Sequence, residues 1–474
     1  IRIAEFAWNK IEPREGEFTY EFFDEFLDVA EEEEMKVIFG TPTATPPVWL
    51  TEKYPEVLNC RLDGTPFYHG MRRHYNYNSP IYQELSARIV KKVAKHYGKR
   101  PCIVGWQIDN EPGHYGVVDY SENAQLKFRV WLQKKYGTID KLNDTWGTSF
   151  WSETYQDFDQ VRLPSQQEVP EKPNPHAMLD LNRFMADELA GFVNMQADIL
   201  RQHINKDQWI TTNLIPVFNP VDPVRIDHTD FLTYTRYLVT GHNQGIGSQG
   251  FRMGIPEDLG FSNDQFRNRV GKTFGVMELQ PGQVNWGVYN PQPLPGAVRM
   301  WVYHVFAGGG KFVCNYRFRQ PLKGSEQYHY GMIMTDGVTL SPGGEEYVRI
   351  TQEMKKLRAA YDKKSRMPKQ LASRRIGLLF DMNNYWEMEF QRQTDQWWTM
   401  PHIHKYYNLL KSFAAPVDVI SEKEDFSGYP FLIAPAYQLL DNNLVERWTE
   451  YVKNGGHLIL TCRTGQKDRD AKLW

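Results

Sequence analysis

Several common signatures are missing from this chain, and each absence removes a class of function. There are only four cysteines, Cys60, Cys102, Cys314 and Cys462. They lie far apart and form no Cys-x-x-Cys, which argues against a disulfide framework and against a cysteine-built zinc site. No apolar run reaches the roughly 18 residues that a membrane span needs. Charge of one sign is not in excess: 55 basic residues face 58 acidic ones, a formal net charge of −3. Nothing therefore advertises a nucleic acid or an anionic membrane as partner. Gly308-Gly309-Gly310-Lys311 lacks the phosphate-loop spacing and precedes a strand, so it reads as a helix end. No Gly-x-Gly-x-x-Gly opens a helix, so no dinucleotide site is expected. The histidines of Pro401-His402-Ile403-His404 do not by themselves make a metal site.

Aromatic residues, by contrast, are plentiful at 14%, including 14 Trp and 26 Tyr. Such side chains fill large interiors and also stack on sugar rings. At 474 residues the chain is too long for one ordinary core, so two or more domains are expected.

The order of elements is strand, loop, helix, repeated. Strands are predicted at 1–7, 36–40, 103–108, 208–214, 231–237, 273–279 and 311–316. Helices are predicted at 20–33, 83–97, 126–136 and 181–203. Phe22, Phe23, Phe26, Leu27 and Ala30 are expected to share the buried face of the first. Leu85, Ile89, Val93 and Tyr97 should line the second. Seven strands in this alternation fit a (β/α)8 barrel better than a doubly wound sheet. On that count the first barrel strand lies upstream of Ile1, and the sequence is expected to continue beyond both ends. Near Pro368 the pattern changes to a smaller doubly wound α/β unit, giving a barrel at 1–368 and a second domain at 369–474.

Barrel enzymes place their chemistry at the C-terminal ends of strands. Two acids stand there. Glu111 closes the strand 103–108 in Asp109-Asn110-Glu111-Pro112, and Glu278 closes the strand that begins at Thr273. They are 167 residues apart, so only a closed fold brings them together. Cleaving an acetal needs one carboxylic acid to protonate the leaving oxygen and a second carboxylate to attack or to activate water. In a retaining enzyme the two carboxyl groups lie about 5–5.5 Å apart. A lone acid at a strand end is usually a salt-bridge or cap residue; two on one barrel make a pattern.

That pattern, an Asn-Glu after the fourth strand and a Glu after the seventh, resembles the clan of retaining glycosidases built on this barrel. The chain further resembles glycoside hydrolase family 42, the β-galactosidases. The resemblance is carried by Arg2-Ile3-Ala4-Glu5-Phe6-Ala7-Trp8, by Pro42-Thr43-Ala44-Thr45-Pro46-Pro47-Val48-Trp49-Leu50, by Arg72-Arg73-His74-Tyr75 and by Trp106-Gln107-Ile108-Asp109-Asn110-Glu111. It implies Glu111 as acid/base and Glu278 as nucleophile. It implies that Arg73 and Asn110 bind sugar hydroxyls, Trp286 stacks on the ring, and Glu326 and His329 hold the 4-OH and 6-OH. Tyr237 would support the nucleophile and Trp151 would wall the site. The implied substrate is a terminal β-galactoside, with no cofactor, and the implied assembly a homotrimer through the second domain.

Two departures stand out. Some members carry a zinc-binding cysteine cluster, where this chain has Asn76 and Tyr120-Ser121-Glu122-Asn123-Ala124-Gln125, so no metal is expected. The family often has Trp-Asp before its sixth-strand Tyr, where this chain has Thr235-Arg236-Tyr237, so leaving-group preference should differ. The rival readings are a same-clan enzyme for an α-L-arabinopyranoside or β-D-fucoside, and a sugar-binding protein without turnover.

Overall fold

The structure is a computed structural model that describes residues 1–474 except 71, 114–116, 166–171, 218–219, 242–247, 249 and 361–366. Its larger sheet is parallel and nearly closed. The strands are β1 (Arg2–Ile3), β2 (Val37–Gly40), β3 (Ile103–Ile108), β4 (Trp209–Leu214), β5 (Leu232–Arg236), β6 (Phe274–Leu279) and β7 (Val313–Asn315), paired in that order. All seven predicted strands of the barrel are present, most of them shorter than predicted. β1 and β7 are the edges of the sheet, and the Arg2 guanidinium lies 5.8 Å from the Tyr316 ring across them.

The covering helices follow from their caps and stripes. Ser79 accepts the amide of Tyr82 to open the helix Pro80–Tyr97, with Pro at its first position and Gly98 after its last. Leu85, Ile89, Val93 and Tyr97 are buried on one face, as their spacing requires. In the helix Glu21–Glu32 the buried residues are Phe23, Leu27 and Ala30, whereas Phe22 is 57% exposed. Phe22 sits one step from Phe23, about 100° round the helix, and that step takes it off the buried stripe; there it lies under the Lys10 ammonium at 4.5 Å.

The N-terminal end of the barrel is plugged by aromatic rings. Trp209 packs on Phe231 and Phe312 with centroids 5.1 and 5.6 Å away. Each ring stands at or just before the start of its strand, and the opposite end of the barrel is left open for chemistry. Gly105 is required here: a Cβ on it would fall 2.2 Å from the Trp209 ring.

Inward and outward faces along β5 are set by strand alternation. Thr233 and Thr235 face the lumen, where they bond Thr212 and Asn213. Tyr234 faces out, against Phe266 of the helix Pro256–Phe266. The pairing with β6 then shifts: Tyr234 pairs with Val276, but Thr235 pairs with Glu278. Met277 is the extra residue of a bulge, and this re-aims Glu278 to the lumen side occupied by Thr235.

The second sheet holds β8 (Ile376–Leu379), β9 (Val417–Ile420), β10 (Phe431–Ala434) and β11 (His457–Leu460), all parallel in the order β11-β10-β8-β9. This order is that of a doubly wound α/β unit. Asp418 of β9 ties it to the barrel by accepting from Arg267 at 2.8 Å and Asn268 at 3.1 Å. The helix Met382–Phe390 of this unit was not predicted; Asp381 caps it through the amide of Asn384.

Gly105→Ala should lower stability by about 1–3 kcal/mol, the usual range for forcing volume into a packed interior. A denaturant melt checks this; an unshifted midpoint would mean that the Trp209 floor yields.

Candidate active site

Glu111 follows β3 with a backbone φ of +47°, and Asp109 two residues before it has +53°. Non-glycine residues in that region are strained, and surrounding bonds must hold them there. Asp109 accepts from Thr43 Oγ1 at 2.6 Å and from Tyr75 at 3.2 Å, and the Glu111 amide donates to Asn213 at 3.1 Å. These anchors come from the segment after β2 and from β4 itself, so the barrel fixes the turn.

Glu278 is held by three donors. Arg2 Nη2 lies 2.7 Å from Oε1 and the Tyr237 hydroxyl 2.7 Å from Oε2. The Asn110 amide, oriented by its partners, places nitrogen 3.1 Å from Glu278 Oε1 and oxygen 2.9 Å from Arg72 Nη1. Arg2 also pairs with Glu5 at 2.8 Å and donates to Gln107 at 3.2 Å. Glu111 Oε2 lies 2.6 Å from Arg73 Nη2 and 3.5 Å from Arg72 Nη1.

Both carboxyls are nearly out of solvent, Glu111 at 5% and Glu278 at 4% exposure, yet both line one cavity of about 1070 Å³ at the open end of the barrel. Their environments drive them apart. Burial and the neighbouring charge of Glu278 raise the pKa of Glu111 above the usual carboxylate value, against the pull of Arg72, Arg73 and Arg2. Burial would raise Glu278 too, but the Arg2 charge and the hydrogen bonds from Tyr237 and Arg2 outweigh it and hold its pKa low. A pair set apart in this way supplies one acid and one anion at the same pH.

The other residues singled out in the sequence fall unevenly about this pair. Trp286 lines the cavity, its ring edge-on to Tyr237 at 4.9 Å. Glu326 also lines it and accepts from Tyr316 at 2.9 Å and Arg317 at 3.3 Å. His329 is fully buried just behind, between the rings of Tyr237 and Tyr316, and its Nε2 has no protein partner. Arg73 was expected to take sugar hydroxyls, but its guanidinium is engaged with Glu111. Trp151 does not border the cavity: it is 70% exposed and packs on Phe150.

Sequence reasoning gave no role to Arg2, Arg72, Gln107 or Asn213. A charged residue inside the apolar strand 1–7 was the available signal for Arg2. At the position of the family's cysteine cluster, Asn76 donates to Ser121 Oγ at 2.9 Å and Ser121 donates to Asp119 at 2.8 Å. Amide, hydroxyl and a single carboxylate do not fit zinc. Among the described residues no group of three His, Cys, Asp or Glu could hold a metal ion.

A parallel α/β barrel presenting two buried, oppositely tuned carboxylates to one cavity is the architecture of a glycoside hydrolase. More narrowly, the chain belongs to glycoside hydrolase family 42: that family's model, described as beta-galactosidase, matches residues 1–357. A model of the beta-galactosidase trimerisation domain matches residues 374–474. A beta-galactosidase from Halorubrum lacusprofundi is 35% identical over all of this chain and 67% of its own length. One from Thermus thermophilus is 34% identical over 98% of this chain and 71% of its own. The crystal structure of a beta-galactosidase from the psychrophilic Marinomonas ef1 superposes with a TM-score of 0.92 at 32% identity, covering this chain fully and 72% of that one.

Tyr237→Phe removes one hydrogen bond to the anionic form of Glu278, so the Glu278 pKa should rise. The acid limb of the kcat/KM profile should then move to higher pH. An unmoved limb would show that Glu278 does not govern it.

Proposed function

We propose that the protein is a retaining exo-β-D-galactosidase, with Glu111 as acid/base and Glu278 as nucleophile. The observation that carries this reading is the opposite tuning of two buried carboxyls on one cavity: Glu111 raised, Glu278 lowered.

In the first step Glu278 attacks the anomeric carbon while Glu111 gives its proton to the departing oxygen. The C–O bond breaks and a glycosyl-enzyme ester forms. In the second, Glu111, now ionised, takes a proton from water, which displaces Glu278 and releases the sugar with its configuration kept. Arg72 and Arg73 beside Glu111 stabilise the carboxylate that exists between the two steps. Tyr237 holds Glu278 in attacking orientation.

Asn110, within reach of Glu278, is the candidate for the sugar 2-OH, and Trp286 offers its face to the C–H groups of the ring. Glu326 and the unpartnered Nε2 of His329 serve the 4-OH and 6-OH, the buried imidazole being kept neutral by its surroundings. Arg73 acts through Glu111 in the free enzyme. The division at 368 separates this catalytic part from a unit that assembles three chains, a reading supported by the trimerisation-domain match.

A 2-fluoro-β-galactoside should label Glu278 covalently, and peptide mass spectrometry should find the adduct there; label on another residue would remove Glu278 from its role. A panel of aryl glycosides should favour β-galactoside over β-fucoside and α-L-arabinopyranoside, sugars that differ only at C6. Light scattering should give three times the chain mass, and a monomer would end the assembly reading.

A further inference from the structure

The reaction as derived leaves one charged pair on the cavity wall unused. Arg236 Nη2 lies 2.9 Å from Asp258 Oδ1, and both residues line the same cavity as Glu111 and Glu278. The pair is largely desolvated, its side chains 21% and 12% exposed, so it is a fixed feature of the wall.

Its place follows from alternation along β5. Thr233, Thr235 and Tyr237 face the lumen that holds the reacting carboxyls. Arg236 lies between two of them and therefore points out over the barrel rim, where Asp258 in the first turn of the helix Pro256–Phe266 receives it. A cavity that borders both the lumen acids and this pair reaches from the barrel mouth to the rim. In an exo-acting enzyme the reacting sugar fills the inner end, so the rim belongs to the leaving group. The size agrees: about 1070 Å³ stands at the top of the roughly 300–1,000 Å³ that suits drug-sized ligands.

The chemistry of this wall fits a sugar. A guanidinium has five donors in a planar fork, and the carboxylate beside it offers acceptors, which together complement a vicinal diol. Ile215 and Leu238, also on the cavity wall, supply apolar surface for C–H groups. A flat aryl leaving group has no hydroxyls to satisfy the pair.

We infer that Arg236, held by Asp258, forms a leaving-group subsite that selects galactosides whose leaving group is itself a sugar. The inference rests on the glycosidase reading above and adds the class of substrate. To test it, kcat/KM is measured for a galactosyl disaccharide and for p-nitrophenyl β-galactoside, and their ratio is followed. Arg236→Ala should lower the ratio by about 10- to 100-fold, as expected for losing a charge-assisted hydrogen bond. The loss should lie mainly in KM for the disaccharide, with Arg236→Lys intermediate because it keeps the charge but not the fork. Asp258→Asn, which leaves the arginine in place but frees it, should lower the ratio less. A ratio unchanged in Arg236→Ala and Asp258→Asn alike overturns the subsite. Wild-type protein inert toward both substrates would instead sink the glycosidase reading, so the two failures are distinguishable.

Discussion

Two carboxylates buried against one cavity repel each other, and that repulsion organises the rest of the site. Neither can be ionised cheaply in such surroundings unless a cation or a donor compensates it. The compensation is given unequally. Glu278 receives the Arg2 guanidinium and the Tyr237 hydroxyl at 2.7 Å each. Glu111 has arginines too, yet burial and the charge of Glu278 raise its pKa. Asn110 and Arg72 connect the two sides, since the Asn110 amide reaches Glu278 and Arg72 while Arg72 lies 3.5 Å from Glu111. The asymmetry, more than the mere presence of two acids, gives one cavity a carboxyl of raised pKa beside one of lowered pKa.

The barrel makes this possible by dividing its ends. Trp209, Phe231 and Phe312 pack together across the N-terminal end. The open end collects the turns that follow the strands, where backbone at positive φ at Asp109 and Glu111 is held by hydrogen bonds from neighbouring segments. A bulge at Met277 turns Glu278 inward. Alternation along β5 does the rest: one residue, Tyr237, donates to Glu278, and the residue before it, Arg236, faces the rim. Adjacent positions in the chain thus face the lumen with its two carboxyls and the space beyond it.

Much of this was legible in the sequence, for physical reasons. Strand-like runs of five to seven residues, the first four separated by predicted amphipathic helices, marked all seven barrel strands, because period-2 and period-3.6 patterns are local consequences of what must be buried. The acids at the ends of β3 and β6 could be picked out because a charge closing an apolar strand is costly anywhere but at a mouth. The fate of Phe22 was not legible, since two adjacent phenylalanines at a helix start offer no local clue to which one faces the core. Nor was the engagement of Arg73 by Glu111, nor the exposure of Trp151, which depend on neighbours distant in the chain.

Local patterning along the chain set the order of strands and helices, the change of character near Pro368, and the chemical kinds of side chain available at each strand end. These follow from periodicity and from the cost of burying charge, which act over a few residues. Folding alone settled which arginine meets which glutamate, and hence which carboxyl has the raised pKa and which the lowered one. Arg2 and Glu278 are brought to 2.7 Å across 276 residues by closure of the sheet. A pKa is a sum over whatever surrounds a group in space, and no stretch of chain contains that sum.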